Sequence, residues 1–204
     1  MAGVMKRVPA SVIFYLGVSL VGIGTNLAVA SMTMAQPTKP TWYNCNTREV
    51  FTPEKQAWCD RWRVLQNATY WVPSRPDGQA PLVQVTLKNG RYQDVKRKLF
   101  VQLVNERNWL AFGDLNGDGK QDAAVVLGVA SDPNGGKIGT FLSAVREVDN
   151  NAAAIAPIRL GDRIRLNGPI TVQQGEVTVP FLTQTQVINR VYMIQEALIE
   201  RGNP

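Results

Sequence analysis

The chain has 204 residues, 45% of them hydrophobic, a formal net charge of +6, two cysteines and no histidine. The length suits one ordinary domain plus a leader, and the hydrophobic content is that of a globular protein with a core. Without histidine the usual general base, proton shuttle and commonest zinc ligand are missing, so Ser-His-Asp and Cys-His catalysis are excluded within this chain.

Met1 to Arg7 is short and basic, and Val12 to Ala30 is apolar apart from residues such as Ser19, Thr25 and Asn26. Ending in Ala28-Val29-Ala30, this pattern predicts a signal segment over residues 1–30 cleaved after Ala30, with a weaker site after Ala35. The alternative is an uncleaved anchor, because the run is about long enough to span a bilayer. No cysteine closes the run, which argues against a bacterial lipid anchor. On either reading the rest of the chain is exported to the far side of a membrane. Lys6 and Arg7 carry two of the net charges and residues 1–30 contain no acid, which leaves +4 for the remainder. That mild excess does not imply nucleic acid. Residues 31–41, with Pro37 and Pro40, read as a linker, and 42–204 as a single domain.

Thr52-Pro53-Glu54 is a helix start: Thr52 caps free N–H groups, Pro53 has its φ preset, and Glu54 suits the positive end of the dipole. The helix is expected from Pro53 to about Leu65, with Trp58, Trp62 and Leu65 forming one apolar stripe for the core. Cys45 and Cys59 are the only cysteines, and in an oxidising compartment they are expected to pair. The bond would tie the incoming segment to the helix and contribute about 3 kcal/mol in the chain-entropy model. A redox pair would favour Cys-x-x-Cys spacing, which is absent. Asn67-Ala68-Thr69 fits a glycosylation acceptor, relevant only in a eukaryotic secretory route.

Strands are expected at Pro81–Leu87, Trp109–Phe112, Ala123–Val129, Gly139–Val148, Arg163–Leu166, Ile170–Gln173 and Glu176–Leu182. Asn89-Gly90 signals a hairpin whose return strand starts at Arg91. Val187–Ile199 is expected as a strand through Ile194 with a short helical end. The basic segment Lys88–Lys98 contains Lys88, Arg91, Lys96, Arg97 and Lys98 against Asp94 alone. It reads first as a solvated rim that discourages edge pairing, and second as a docking patch for a protein or an anionic surface. The expected fold is α+β, an N-terminal helix packed on a mostly antiparallel β-sheet.

The most specific motif is Asp114-Leu115-Asn116-Gly117-Asp118-Gly119-Lys120-Gln121-Asp122. Side-chain oxygens recur at loop positions 1, 3, 5 and 9, and Gly119 at position 6 permits a sharp turn. Ca2+ is a hard cation that takes six to eight oxygens, and this spacing offers Asp114, Asn116, Asp118, the Lys120 carbonyl and Asp122. An EF-hand has a bidentate Glu at position 12, where this chain has Val125. The flanks are strand-like, so the expectation is a strand-loop-strand site of about millimolar affinity. The plain alternative is an Asp- and Gly-rich polar turn.

Phe112 to Val125 resembles the calcium-loop segment of FG-GAP (VCBS-type) repeats. The resemblance implies calcium on Asp114, Asn116, Asp118, the Lys120 carbonyl and Asp122. A propeller repeats this unit, and here it occurs once. The whole chain is also similar to exported cyanobacterial proteins of unknown function, which implies a periplasmic, extracellular or thylakoid-lumen setting and no particular activity. The leading expectation is an exported, non-catalytic binding or structural domain with a calcium-stabilised β-loop. The others are an accessory subunit of a membrane-associated complex, and an extracytoplasmic hydrolase drawing on carboxylates such as Asp149, Asp162 and Glu176.

Overall fold

The computed structural model describes residues 42–134, 136–150, 152–183, 186–194 and 198–200. The expected signal segment and linker, residues 1–41, lie outside the described residues. Within them the chain forms one helix and thirteen strands, all strand pairings being antiparallel.

Helix α1 spans Pro53–Gln66. The Thr52 side chain accepts the Lys55 N–H at 3.3 Å, and Pro53 opens the first turn. At the other end the Tyr70 hydroxyl donates to the Leu65 carbonyl at 2.8 Å, satisfying one of the last orphan acceptors. Burial pushes the Tyr70 phenol well above its usual range. Cys45 and Cys59 are joined in a disulfide with Cα atoms 5.7 Å apart. Trp58 packs against Trp42, Tyr43, Trp62 and Phe112, so the tied segment and the helix share one aromatic cluster. Lys55 is buried beside it, with its ammonium donating to Thr47 and Glu49 and lying 4.3 Å from the Phe51 ring.

Strands β1 (Thr69–Pro73) and β2 (Leu82–Thr86) form a hairpin of their own. The larger sheet is built on β3 (Arg91–Asp94), β4 (Leu99–Leu103), β5 (Leu110–Gly113), β6 (Asp122–Ala130), β7 (Ile138–Arg146), β8 (Ala153–Ala154) and β9 (Ile158–Asp162). Its spine is the β6–β7 hairpin, nine residues on each side. The outer edge of β6 is shared by β5 at its start and β4 at its end, and that of β7 by β9 and β8. A third sheet follows, of β10 (Thr171–Gln173), β11 (Glu176–Leu182), β12 (Val187–Ile194) and β13 (Leu198–Glu200).

The period-2 alternation of β6 divides the core. Ala123, Val125, Leu127 and Val129 join a cluster with Trp58, Trp62, Leu65, Tyr70 and Val85. Ala124 and Val126 join a second cluster with Leu142, Ala144, Val177, Val179 and Tyr192. Both faces of the hairpin are covered, which explains the unbroken apolar run of β6.

The α+β expectation is corrected: the class is largely β. A 14-residue helix contributes one side of one cluster beside thirteen strands in three sheets, so it does not form a layer laid on a single sheet. The expected strand at Arg163–Leu166 reduces to one bridge, Leu166 with Phe181, and the strand sits just earlier, in β9. The helical end expected after Ile194 is instead β13, recruited as an edge partner of β12. At Asn89-Gly90 both residues have positive φ, as the turn demands, yet β3 leaves β2 after the Lys88–Arg91 bridge and pairs with β4. The edge of β2 is satisfied by β1.

Candidate metal centre

In the β5–β6 register Gly113 stands opposite Asp122, so residues 114–121 close a hairpin loop. Asp114 organises it. One of its oxygens accepts the N–H groups of Asn116 (3.2 Å) and Gly117 (2.7 Å), and the other that of Gly119 (2.9 Å). These amides, Gly119 first, hold the Asp114 carboxyl below its usual value against the opposing effect of desolvation. Gly117 and Gly119 have φ of +80° and +77°, and a Cβ on either would meet nothing within 4 Å. Conformation, not crowding, selects glycine at both.

Asn116 and Asp118 are joined twice. The Asn116 side-chain oxygen accepts the Asp118 N–H at 3.1 Å, and its amide nitrogen donates to Asp118 Oδ2 at 3.0 Å. Asp118 Oδ1 accepts the Lys120 N–H at 2.8 Å. The Lys120 ammonium turns away to Glu147 at 2.7 Å, and that bond raises its pKa.

Asp122 lies beneath the loop with no exposed surface. One oxygen accepts the Leu115 N–H and the other the Glu147 N–H, both at 2.9 Å. A buried carboxylate held by two amides ties the loop to the end of β7. Leu115, between loop positions 1 and 3, is 2% exposed and belongs to the second core cluster. Neighbouring contacts join this corner to the third sheet: a Cβ on Gly113 would fall 2.5 Å from Val172, and one on Gly175 would fall 3.3 Å from the Leu115 carbonyl.

The sequence-predicted set therefore separates into two levels. Asp114, Asn116, Asp118 and Lys120 lie in the exposed loop, and Asp122 lies buried at its base. All five offer hard oxygen donors, the type a calcium-class ion takes. Among the described residues no three His, Cys, Asp or Glu side chains are grouped to hold a metal, so an ion here would draw on amide and carbonyl oxygens beside the carboxylates. Sequence reasoning missed the anchoring bonds of Asp122 and the plug formed by Leu115. The one apolar residue in an otherwise polar loop was the available signal.

The other sequence candidates lie elsewhere. Asp149 receives a two-pronged bond from Arg61 of α1 (2.7 and 3.0 Å), and Asp162 pairs with Arg159 at 2.7 Å. Asp149 lies in the turn after β7, Asp162 on β9 and Glu176 on β11, so these three carboxylates stand at three separate places in the chain. In the basic segment Asp94 accepts the Arg97 N–H at 2.9 Å, and Val95 is 75% exposed at the tip of the β3–β4 hairpin beside exposed Lys96, Arg97 and Lys98. The disulfide is compatible with an exported protein. Among the described residues no helix is long and apolar enough to cross a membrane. Comparison with protein-family models, curated proteins and solved structures finds no match to this chain.

Proposed function

We propose that the protein is an exported, non-catalytic binding or structural domain whose β5–β6 loop takes up calcium and thereby fixes the third sheet against the β6–β7 hairpin. The observation that carries this reading is the loop's inward fold. Alternate residues Asp114, Asn116 and Asp118 turn their oxygens into the loop, and two glycines take the left-handed conformations that let them do so. On this reading Asp114, Asn116, Asp118 and the Lys120 carbonyl hold the ion, and Asp122 closes the set while anchoring its base. The amide hydrogen that Asn116 now offers Asp118 supplies partial positive charge where a cation would supply more. The ion's contribution is electrostatic: it relieves repulsion between Asp114 and Asp118 and stiffens the loop that holds Leu115. A site of about millimolar affinity should raise Tm by about 3–5 °C in excess calcium relative to chelator. The test is a melting curve in both conditions, repeated on Asp118→Ala. An unmoved wild-type Tm defeats the calcium reading, and a shift that survives in Asp118→Ala places the ion elsewhere.

A second reading, attachment to an anionic membrane or complex, draws on the exposed Val95 among Lys96, Arg97 and Lys98. Co-sedimentation with anionic vesicles that vanishes in moderate salt supports it.

A further inference from the structure

The β6 strand changes character along its second face. Beneath the third sheet that face carries Ala124 and Val126, both fully buried. Two steps on it carries Gly128 and then Ala130. In the register Gly128 stands beside Gln102, and Ala130 lies between Phe100 and Ile138. A hollow of about 520 Å³ opens over these residues, within the usual range for a small-ligand site.

Gly128 has an ordinary extended backbone, being absent from the positive-φ glycines. A Cβ there would meet only Ile138 at 3.6 Å and the Gln102 carbonyl at 3.8 Å, which are normal contacts. Neither the chain's conformation nor its packing requires glycine. A glycine in a strand interior costs stability, and it often marks the close approach of a ligand.

We propose that this hollow binds a short, uncharged glycan. Its rim is formed by Arg91, Gln93, Gln102, Asn105 and Glu106. All five are exposed, and no side-chain hydrogen bond or ion pair joins any of them to another described residue, so their polar atoms are open to a ligand. Three are carboxamides, each both donor and acceptor, and together with the guanidinium and the carboxylate they match sugar hydroxyls, which donate and accept at the same atom. The Phe100 ring supplies apolar surface for the C–H face of a pyranose. Charge selects against an anion: Arg91 is offset by Glu106, and a further lining residue, Asp132, is negative, its carboxylate accepting the Asn134 and Gly136 N–H groups. This site is separate from the acidic loop and does not depend on calcium.

The experiment titrates cellotriose, maltotriose and tri-N-acetylchitotriose into the full chain, followed by calorimetry and amide NMR. Saturable binding of one of them is expected, with shifts centred on residues 100–106 and 128–130. Gly128→Leu fills the hollow and should weaken that binding at least about tenfold while Tm stays near wild type, because the hollow is open to solvent. Gln102→Ala, at an exposed position, should weaken it as well, and it serves as the check if Gly128→Leu fails to fold. Three results overturn the proposal: no saturable binding of any probe at millimolar concentration, binding that both variants leave intact, or binding of phosphatidylglycerol vesicles in this hollow in place of sugars.

Discussion

On one face of the β6–β7 hairpin, Leu127 and Val129 pack under a capped helix that a disulfide ties to its preceding segment. On the other, Val126 and Leu142 pack under a sheet that reaches the hairpin without any covalent tie. The first cover has four tryptophan and tyrosine side chains around the helix. The second rests on strand side chains, Val177, Val179, Phe181 and Tyr192, joined by one loop leucine, Leu115, held from below by Asp122. The same strand is thus covered by a helix-borne aromatic cluster on one side and, on the other, by a sheet to which a polar loop adds one leucine. Disturbing the loop should loosen the second cover selectively, whereas disturbing the helix should unfold the whole.

The largest effect is expected at Trp62, 6% exposed and stacked on Trp58. Trp62→Ala should cost about 3–5 kcal/mol, lost transfer energy plus a cavity next to the disulfide. Chemical denaturation should show a lower midpoint with one cooperative transition, since this cluster also contains β4 and β6. Retention of native stability in that variant would mean that the helix is not integral to the first core.

Leu115→Ala comes next, at about 2–4 kcal/mol. The expected signature differs in kind as well as size. Amide exchange should accelerate in β10 to β12, whose residues share its cluster, well before it accelerates in α1. On the calcium proposal the variant should also lose most of any rise in Tm that calcium brings, because the loop's stiffness no longer reaches the third sheet. Equal acceleration in helix and sheet would show that the two covers are one cooperative unit and would dissolve the contrast.

The two sides were also unequally legible in the sequence. The helix was readable because its cap, Pro53 and a 3.6-residue stripe agree, and because two cysteines leave one pairing. β11 was readable to its ends through clean alternation. β1 and β4 were not, because Trp71 and Gln102 face outward and blur the apolar alternation of strands that pair with β2 and with β3 and β6. β13 was not, because three residues carry too little pattern to resist being read as a helix end. In the loop, the order of Asp, Asn and Gly was legible and the division of labour was not. Nothing in the spacing distinguishes Asp114, which gathers the loop's own amides, from Asp122, which is buried and binds across to β7.

The smallest effect tests that division by pH. Backbone amides, Gly119 foremost, hold the Asp114 carboxyl below its ordinary value of 3.8. A carboxylate depressed by folding lends stability that is fully present above the unfolded value and is lost as pH falls through the folded one. The loop should therefore keep its form from neutrality down to about pH 4 and begin to release only below 3.8. Carboxyl NMR titration should place the Asp114 midpoint under that value, with the Gly117 and Gly119 amide shifts following the same curve. The Leu65 amide in α1 should stay flat over this range, because the capping bonds at that end of the helix come from Tyr70 and Asn67, neither of them in the loop. In Asp114→Asn the glycine amides should lose their titration altogether. A midpoint at or above 3.8, or a helix amide that tracks it, would mean that the loop is not held by its own carboxylate and that the two faces share one acid response.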